Sequence, residues 1–249
     1  MTLLAVEEIS KSYGGVQALR GCTMNFAEGA INGLIGPNGS GKTTLFNVIT
    51  GYERPDAGRV LLRGKDMTQA TPDAVFGAGV GRTFQLTRIF PRLSVLENVH
   101  VAAQRRGFVA QMRRWTTGNE HQRALDSLEF VGLTHLAREP AGSLSYGQQK
   151  LLEFAFIMVA APSVMLLDEP AGGVNPTLLR HLAGRIKALN AEGVTFIIVE
   201  HDMEFVMGLC DQVSVMHNGS ALREGRPAEV RADPAVLEAY LGTDMAEAD

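Results

Sequence analysis

Ile31-Asn32-Gly33-Leu34-Ile35, followed by Gly36-Pro37-Asn38-Gly39-Ser40-Gly41-Lys42-Thr43, decides the fold. A short apolar run enters a GxxxxGK[ST] loop, and helix-compatible sequence opens at Thr44. Strand, loop and helix in that order are the setting in which such a loop binds phosphate. Phosphate oxygens need many donors at close range. Small residues let backbone N–H groups turn inward, and the helix N-terminus adds positive potential. Gly36, Pro37, Asn38, Gly39, Ser40, Gly41, Lys42, Thr43 and Thr44 are therefore candidate nucleotide-binding residues. Lys42 supplies charge for the β- and γ-phosphates. Thr43 offers a hydroxyl to Mg²⁺, which keeps much of its water and needs only one or two protein ligands.

Two further compact apolar runs, Val164 to Leu167 and Val194 to Val199, are bounded by helical patterns and predict a buried parallel sheet with Ile31 to Ile35. Leu178, Leu182, Ile186 and Leu189 recur at helical spacing before the last run, and Gly193 is placed to stop that helix. Ahead of the phosphate loop and just beyond it, Leu3 to Tyr13, Val16 to Phe26 and Gly58 to Leu62 are β-rich and broken by glycines, which predicts an antiparallel edge. From Leu86 to Pro162 the pattern is helical, opened by Ser94 and Glu97 as a capping box. The expected class is α/β: a P-loop NTPase core with an antiparallel β edge and an inserted helical subdomain. As one domain spanning 1–249, its core and β parts cover 1–85 and 163–242, and the helical part covers 86–162. Thr243 to Asp249 reads as a loose end.

Composition bounds the possibilities. At 249 residues, 45% hydrophobic and 20% charged, with a net charge of −4, the chain has ordinary soluble character and no call for nucleic acid. Cys22 and Cys210 stand far apart without a CxxC pair, so two structural thiols in a reduced compartment are expected. Met1 to Ser10 has two acidic residues and no basic one, and no apolar run approaches the ~20 residues of a membrane span. Gln104 to Arg123 gathers five arginines with Phe108 and Trp115; a solvated face is the simpler reading, contact with a membrane protein or lipid headgroups the other.

Val164-Met165-Leu166-Leu167-Asp168-Glu169-Pro170 delivers two adjacent carboxylates at the C-terminal end of a strand, the edge where open parallel sheets bind ligands. Asp168 can reach Mg²⁺, and Glu169 can polarise an attacking water near the γ-phosphate. Loop and carboxylates alone specify only a P-loop NTPase. Leu144-Ser145-Tyr146-Gly147-Gln148-Gln149-Lys150, just upstream of that strand, is similar to the LSGGQ signature of the ABC ATPase family.

The resemblance extends from about Leu3 to Gly242. It implies that Ser145, Tyr146, Gly147 and Gln148 grip the γ-phosphate of a nucleotide held by the opposite subunit. Tyr13 resembles the aromatic that stacks on adenine, with Val16 beside it. Gln85, in Arg82-Thr83-Phe84-Gln85, resembles the Q-loop glutamine that senses Mg²⁺ and the attacking water. His201 resembles the switch histidine that contacts the γ-phosphate. The implied catalytic set is thus Glu169, His201, Gln85 and Lys42, and the implied metal set is Thr43, Gln85 and Asp168. The sequence departs from the family's common forms at Tyr146, where glycine is usual, and at Asn175, where the loop after the carboxylates usually has aspartate.

Ser145-Tyr146-Gly147, Ala171 to Pro176, Glu200 to Met203 and Ala239 to Gly242 narrow the resemblance to the branched-chain amino-acid importer ATPases. It implies ATP and Mg²⁺ as cofactors and transmembrane permease subunits as partners. A second, similar ABC ATPase is also implied, in a heterodimer with a homodimer left open. A substrate-binding protein is an indirect partner, and the implied location is the cytoplasmic face of the inner membrane, peripheral through the permease. Urea or amide importers and lipopolysaccharide exporters resemble the chain similarly. A soluble ABC-type clamp on nucleic acid or ribosomes is disfavoured by the single cassette, the absence of sustained heptads and the negative charge. A P-loop kinase or small GTPase would lack the Ser145 helix and His201.

Overall fold

The computed structural model describes residues 1–83, 89–103 and 118–244, and among them two sheets form. In the first, antiparallel sheet, β1 (Thr2–Tyr13) lies between β2 (Val16–Ala27) and β4 (Ala57–Leu62), with β5 (Lys65–Asp66) beyond β4. Cys22, Met24 and Phe26 of β2 are buried while Thr23 and Asn25 are exposed, the period of two expected of a strand with one wet face.

The second sheet has the order β10 (Ser220–Gly225), β9 (Gln212–His217), β3 (Ile31–Ile35), β8 (Thr195–Val199), β7 (Val164–Asp168), β6 (Val80–Arg82). Every pairing is parallel except that of β9 with β10. All residues of β3, β7 and β8 are buried, because both faces are covered. Val164 and Leu166 face a core shared with the antiparallel sheet and α1 (Lys42–Ile49). Met165 and Leu167 face the opposite core, built from α3 (Val95–Ala103), α4 (Gly118–Val131), α5 (Tyr146–Met158), α6 (Pro176–Ala191) and α7 (Met203–Leu209). Such two-sided burial explains why these strands read as continuous apolar runs.

Helix signals act as expected. Glu97 Oε2 accepts from the Ser94 N–H at 2.7 Å, and Ser94 Oγ accepts from the Glu97 N–H at 3.2 Å. Leu182, Ile186 and Leu189 are buried on α6, Leu178 partly so, and α6 ends at Ala191 before Gly193 takes φ 99°. The structure starts α1 at Lys42, two residues before Thr44, because Gly41 adopts the left-handed conformation that caps it. It also adds α2 (Pro72–Gly77), α8 (Pro227–Arg231) and strands β5, β6, β9 and β10. The presumed loose end is partly helical: α9 (Pro234–Asp244) includes Thr243 and Asp244, and 245–249 lie outside the described residues. Most of the arginine-rich segment, 104–117, also lies outside them. Of its arginines, Arg123 sits on α4 and donates to the Val159 carbonyl. Among the described residues no helix is long and apolar enough to cross a membrane.

Both cysteines are buried free thiols, Cys22 within β2 and Cys210 just after α7. Burial pushes Cys22 up to about 11 and Cys210 up to about 12, with Glu224 and Asp211 adding repulsion of the thiolates. Since the thiolate is the nucleophile, the folded chain should resist a thiol-specific disulfide reagent at about pH 8, and the denatured chain should titrate both thiols at once. Rapid reaction of either thiol in the folded chain would contradict this packing.

Candidate functional site

The phosphate loop leaves β3 where two other backbones come close. A Cβ on Gly36 would meet the carbonyl oxygen of Met216 on β9 at 2.2 Å, and one on Gly41 would meet the carbonyl oxygen of Ala18 on β2 at 2.6 Å. Both positions also hold positive φ, 151° and 101°, so glycine is required on two counts. The loop folds around its own lysine: Lys42 Nζ donates to the carbonyls of Gly36 at 2.8 Å and Pro37 at 2.9 Å, and to Ser40 Oγ at 3.4 Å. Burial lowers the Lys42 pKa, and the charges of Glu169 and Asp168 act against that shift. The ammonium is thus within electrostatic reach of both carboxylates. Pro37 and Ser40 are buried, Asn38, Gly39 and Thr43 are exposed, and Thr44 is half-buried. No side chain caps the start of α1, which leaves its first N–H groups for a ligand.

Asp168 ends β7 and is 4% exposed. Its Oδ2 accepts from Arg82 Nη2 at 2.9 Å, an ion pair whose two side chains are 5% and 6% exposed. Arg82 Nη1 is braced by Asn47 Oδ1 at 2.8 Å and Thr50 Oγ1 at 3.0 Å on and beside α1. Thr83 Oγ1 accepts from the Asp168 N–H at 3.0 Å. Glu169 follows with φ 47°, its N–H donating to the Val199 carbonyl at 2.9 Å and its own carbonyl accepting from Lys150 Nζ at 3.3 Å. His201 comes off β8 beside them, with Nδ1 3.9 Å from Glu169 Oε1 and 4.0 Å from Glu200 Oε2.

Ser145 caps α5. Its Oγ accepts from the Gln148 N–H at 3.4 Å, and Gln148 Oε1 accepts from the Ser145 N–H at 2.9 Å, a reciprocal box that fixes the helix start. Gly147 packs on Leu178, whose Cδ2 would lie 2.4 Å from a Cβ there. The Tyr146 ring lies over Gly173, where a Cβ would come within 2.9 Å of the ring and φ is 68°. Tyr146 and Gly173 are therefore complementary: a tyrosine at 146 needs the missing side chain at 173. Asn175 caps α6, its Oδ1 accepting from the Leu178 N–H at 2.9 Å.

Tyr13 and Val16 face each other across the β1–β2 turn, 45% and 69% exposed, and further along β2 Ala18 touches the phosphate loop at Gly41. Gln85 lies outside the described residues. The structure thus brings Lys42, Asp168, Glu169 and His201 to one sheet edge, with Thr43 and Thr44 at the start of α1 and the signature residues on a separate helix. Sequence reasoning gave no role to Arg82, Thr83, Lys150 or Glu200, although all four lie in the stretches quoted with Gln85, Ser145 and His201.

Known proteins match the chain over nearly its whole length. The profile described as "ABC transporter" matches residues 19–172, and that described as "Branched-chain amino acid ATP-binding cassette transporter" matches 224–246. The probable branched-chain amino acid transport ATP-binding protein LivG of Archaeoglobus fulgidus is 38% identical over 252 residues, covering 99% of this chain and 98% of that protein. The high-affinity branched-chain amino acid transport ATP-binding protein BraF of Pseudomonas aeruginosa is 37% identical over 249 residues, covering 96% and 98%. Among solved structures, the ADP conformation of an ATP-binding cassette of an ABC transporter superposes with a TM-score of 0.86 at 36% identity, covering 97% and 99%. A dimeric, post-hydrolysis cassette bound to ADP and phosphate superposes at 0.78 with 25% identity, covering 90% and 99%.

The buried Arg82–Asp168 pair makes a stability prediction. Arg82→Met strands a buried carboxylate, and breaking such a pair typically costs about 3–5 kcal/mol. Urea unfolding of that variant should show a loss of this size, and Asp168→Asn in the same chain should recover part of it. A loss below about 1 kcal/mol, the size of an exposed pair, would show that the bridge is not held as described.

Proposed function

The chain belongs to the ABC transporter family, and from that premise we propose that it is the ATP-hydrolysing subunit of a branched-chain amino-acid importer. It is an ATPase of the cassette type that binds adenine nucleotide and works with membrane permease subunits. The observation that carries the catalytic reading is the convergence at one sheet edge of Lys42, within reach of both carboxylate charges, with Glu169 and His201 3.9 Å apart. The solute class is supported by the names of relatives 37–38% identical over nearly the full chain and by the match at 224–246. That match favours branched-chain amino acids over the urea, amide and lipopolysaccharide readings. We read 1–85 and 163–242 as core and β parts, 86–162 as the helical part, and the location as the cytoplasmic face of the membrane.

In this reading Tyr13 stacks on adenine beside Val16, and the loop from Gly36 to Thr44 wraps the phosphates. Lys42 exchanges its bonds to the Gly36 and Pro37 carbonyls for phosphate oxygens, which are charged and so stronger acceptors. The donor set fits Mg²⁺: the Thr43 hydroxyl, the Asp168 carboxylate and the Gln85 amide are hard oxygen ligands, and the ion, when bound, neutralises phosphate charge. Glu169 takes the proton of the attacking water, and His201 holds the γ-phosphate geometry. The residues from Ser145 to Gln148 serve the nucleotide of a second ATPase subunit, a similar but distinct chain, so the two close head to tail on ATP. A substrate-binding protein delivers the solute to the permease.

Two variants test separate parts of this scheme. Glu169→Gln keeps shape but removes the basic oxygen. General-base assistance is worth ~10²–10⁴-fold, so single-turnover hydrolysis should fall at least about a hundredfold while ATP binding persists; near-normal turnover would remove Glu169 as the base. Ser145→Arg places a bulky charge at the signature helix. It should cost about 1 kcal/mol of capping, leave ATP binding by the isolated chain intact and abolish hydrolysis. Light scattering should show no ATP-dependent dimer. Loss of ATP binding in a folded Ser145→Arg monomer would contradict a shared site.

A further inference from the structure

Glu200 has no part in the scheme above, although it is 0% exposed and adjoins His201. Its Oε1 accepts from the Ala171 N–H at 2.6 Å. Its Oε2 accepts from the His201 N–H at 3.2 Å and the Asp202 N–H at 3.5 Å. Its own N–H reaches the Leu34 carbonyl on β3 at 3.4 Å. One carboxylate therefore fastens two loops to the sheet. The first leaves Glu169 and Pro170 and runs through Ala171 to Asn175; the second carries His201.

Burial drives the Glu200 pKa upward, while the backbone donors and His201 pull it down. A carboxylate in such a place is costly unless its oxygens are satisfied, and here three N–H groups from two loops satisfy them. A purely local cap would need donors from one loop only. His201 Nδ1 lies 3.9 Å from a Glu169 oxygen and 4.0 Å from a Glu200 oxygen, so the imidazole stands beside both carboxylates, and its backbone N–H is held by Glu200.

We propose that Glu200 is a positioning residue for ATP hydrolysis: it clamps the His201 loop to the loop that follows Glu169 and so sets the spacing of His201 and Glu169. The proposal rests on the ATPase reading in which those two residues serve the attacking water. Glu200 acts through His201 and the Ala171 backbone, not through the nucleotide. Glu200→Gln turns an amide N–H₂ toward a backbone donor and loosens one of the two loops.

The test is a double-mutant cycle in the full-length chain assembled with its partner ATPase subunit, with Glu200→Gln, His201→Ala and both together, reading kcat, KM and equilibrium ATP binding. A displacement of about 1 Å can cost on the order of a hundredfold in rate, so Glu200→Gln should lower kcat by roughly tenfold to a hundredfold. ATP affinity should stay within about twofold, and the double variant should be no slower than His201→Ala within about twofold, because the spacing of His201 and Glu169 that Glu200 sets matters only while the imidazole is present. Independent, multiplicative losses would overturn the proposal. So would a parental kcat in Glu200→Gln, or a loss of ATP affinity in step with kcat. A parental rate in His201→Ala would instead refute the reading of His201 itself; a slow His201→Ala beside a parental Glu200→Gln refutes the role of Glu200 alone. Should Glu200→Gln not fold, Glu200→Asp, which keeps the charge but withdraws it by one methylene, serves in the same cycle with the same outcomes.

Discussion

The common level at which β3, β7 and β8 end is the constraint on which the site depends. Leu34 and Asp168 both pair with Val199, and Ile35 pairs with Val215 on β9. The residues that follow, Gly36, Glu169 and Glu200, therefore leave the sheet side by side, although they are far apart in sequence. Parallel strands place all such exits at one edge, and the fully buried strands beneath fix their heights. A one-residue slip of β7 would turn Asp168 toward the other face and move Glu169 away from Val199. The close backbone approaches at Gly36 and Gly41 follow from the same crowding, since β9 and β2 press on the loop from either side.

Charge is handled pair by pair in this confined space. Lys42 rests on two carbonyls and a hydroxyl, Asp168 on Arg82, and Glu200 on three backbone N–H groups. These arrangements differ in how easily they yield. Neutral carbonyls are weaker acceptors for an ammonium than charged oxygens, so the bonds that hold Lys42 are the more readily exchanged. The guanidinium of Arg82 is braced by Asn47 and Thr50 and buried with its partner, so one oxygen of Asp168 stays committed to the protein.

The sequence disclosed what is local. The phosphate loop, the two carboxylates, the Ser145 cap and the apolar strands each lie within a few consecutive residues whose chemistry can be read directly. Strands β9 and β6 were not legible: Gln212 and Ser214 interrupt the apolar run of β9, and β6 is only three residues long. Arg82, Lys150 and Glu200 escaped for a different reason. Each acquires its role from a partner on another element, at separations of 86, 19 and 29 residues. The departures at Tyr146 and in the loop containing Gly173 looked independent in one dimension; only contact shows that the ring of one occupies the space the other leaves.

The two adjacent carboxylates are separated by backbone geometry. Asp168 keeps strand conformation as the last residue of β7, so its side chain follows the alternation of the strand into the ion pair with Arg82. Glu169 does not continue that alternation. At φ 47° it turns left-handed, and its side chain emerges 28% exposed toward His201. A non-glycine residue in such a conformation costs roughly 1–3 kcal/mol, and glycine would remove that cost along with the carboxylate. The strain is held by bonds at both ends of the residue, from its N–H to Val199 and from Lys150 to its carbonyl. Those bonds reach Glu169 from β8 and α5, and the Gly172 N–H within its own loop adds a third at 3.2 Å, so the outward turn is fastened from the sheet, the helix carrying Ser145 and the loop together. Lys150 lies five residues along α5 from Ser145, so one helix carries both the Ser145 cap and a donor to the backbone of Glu169.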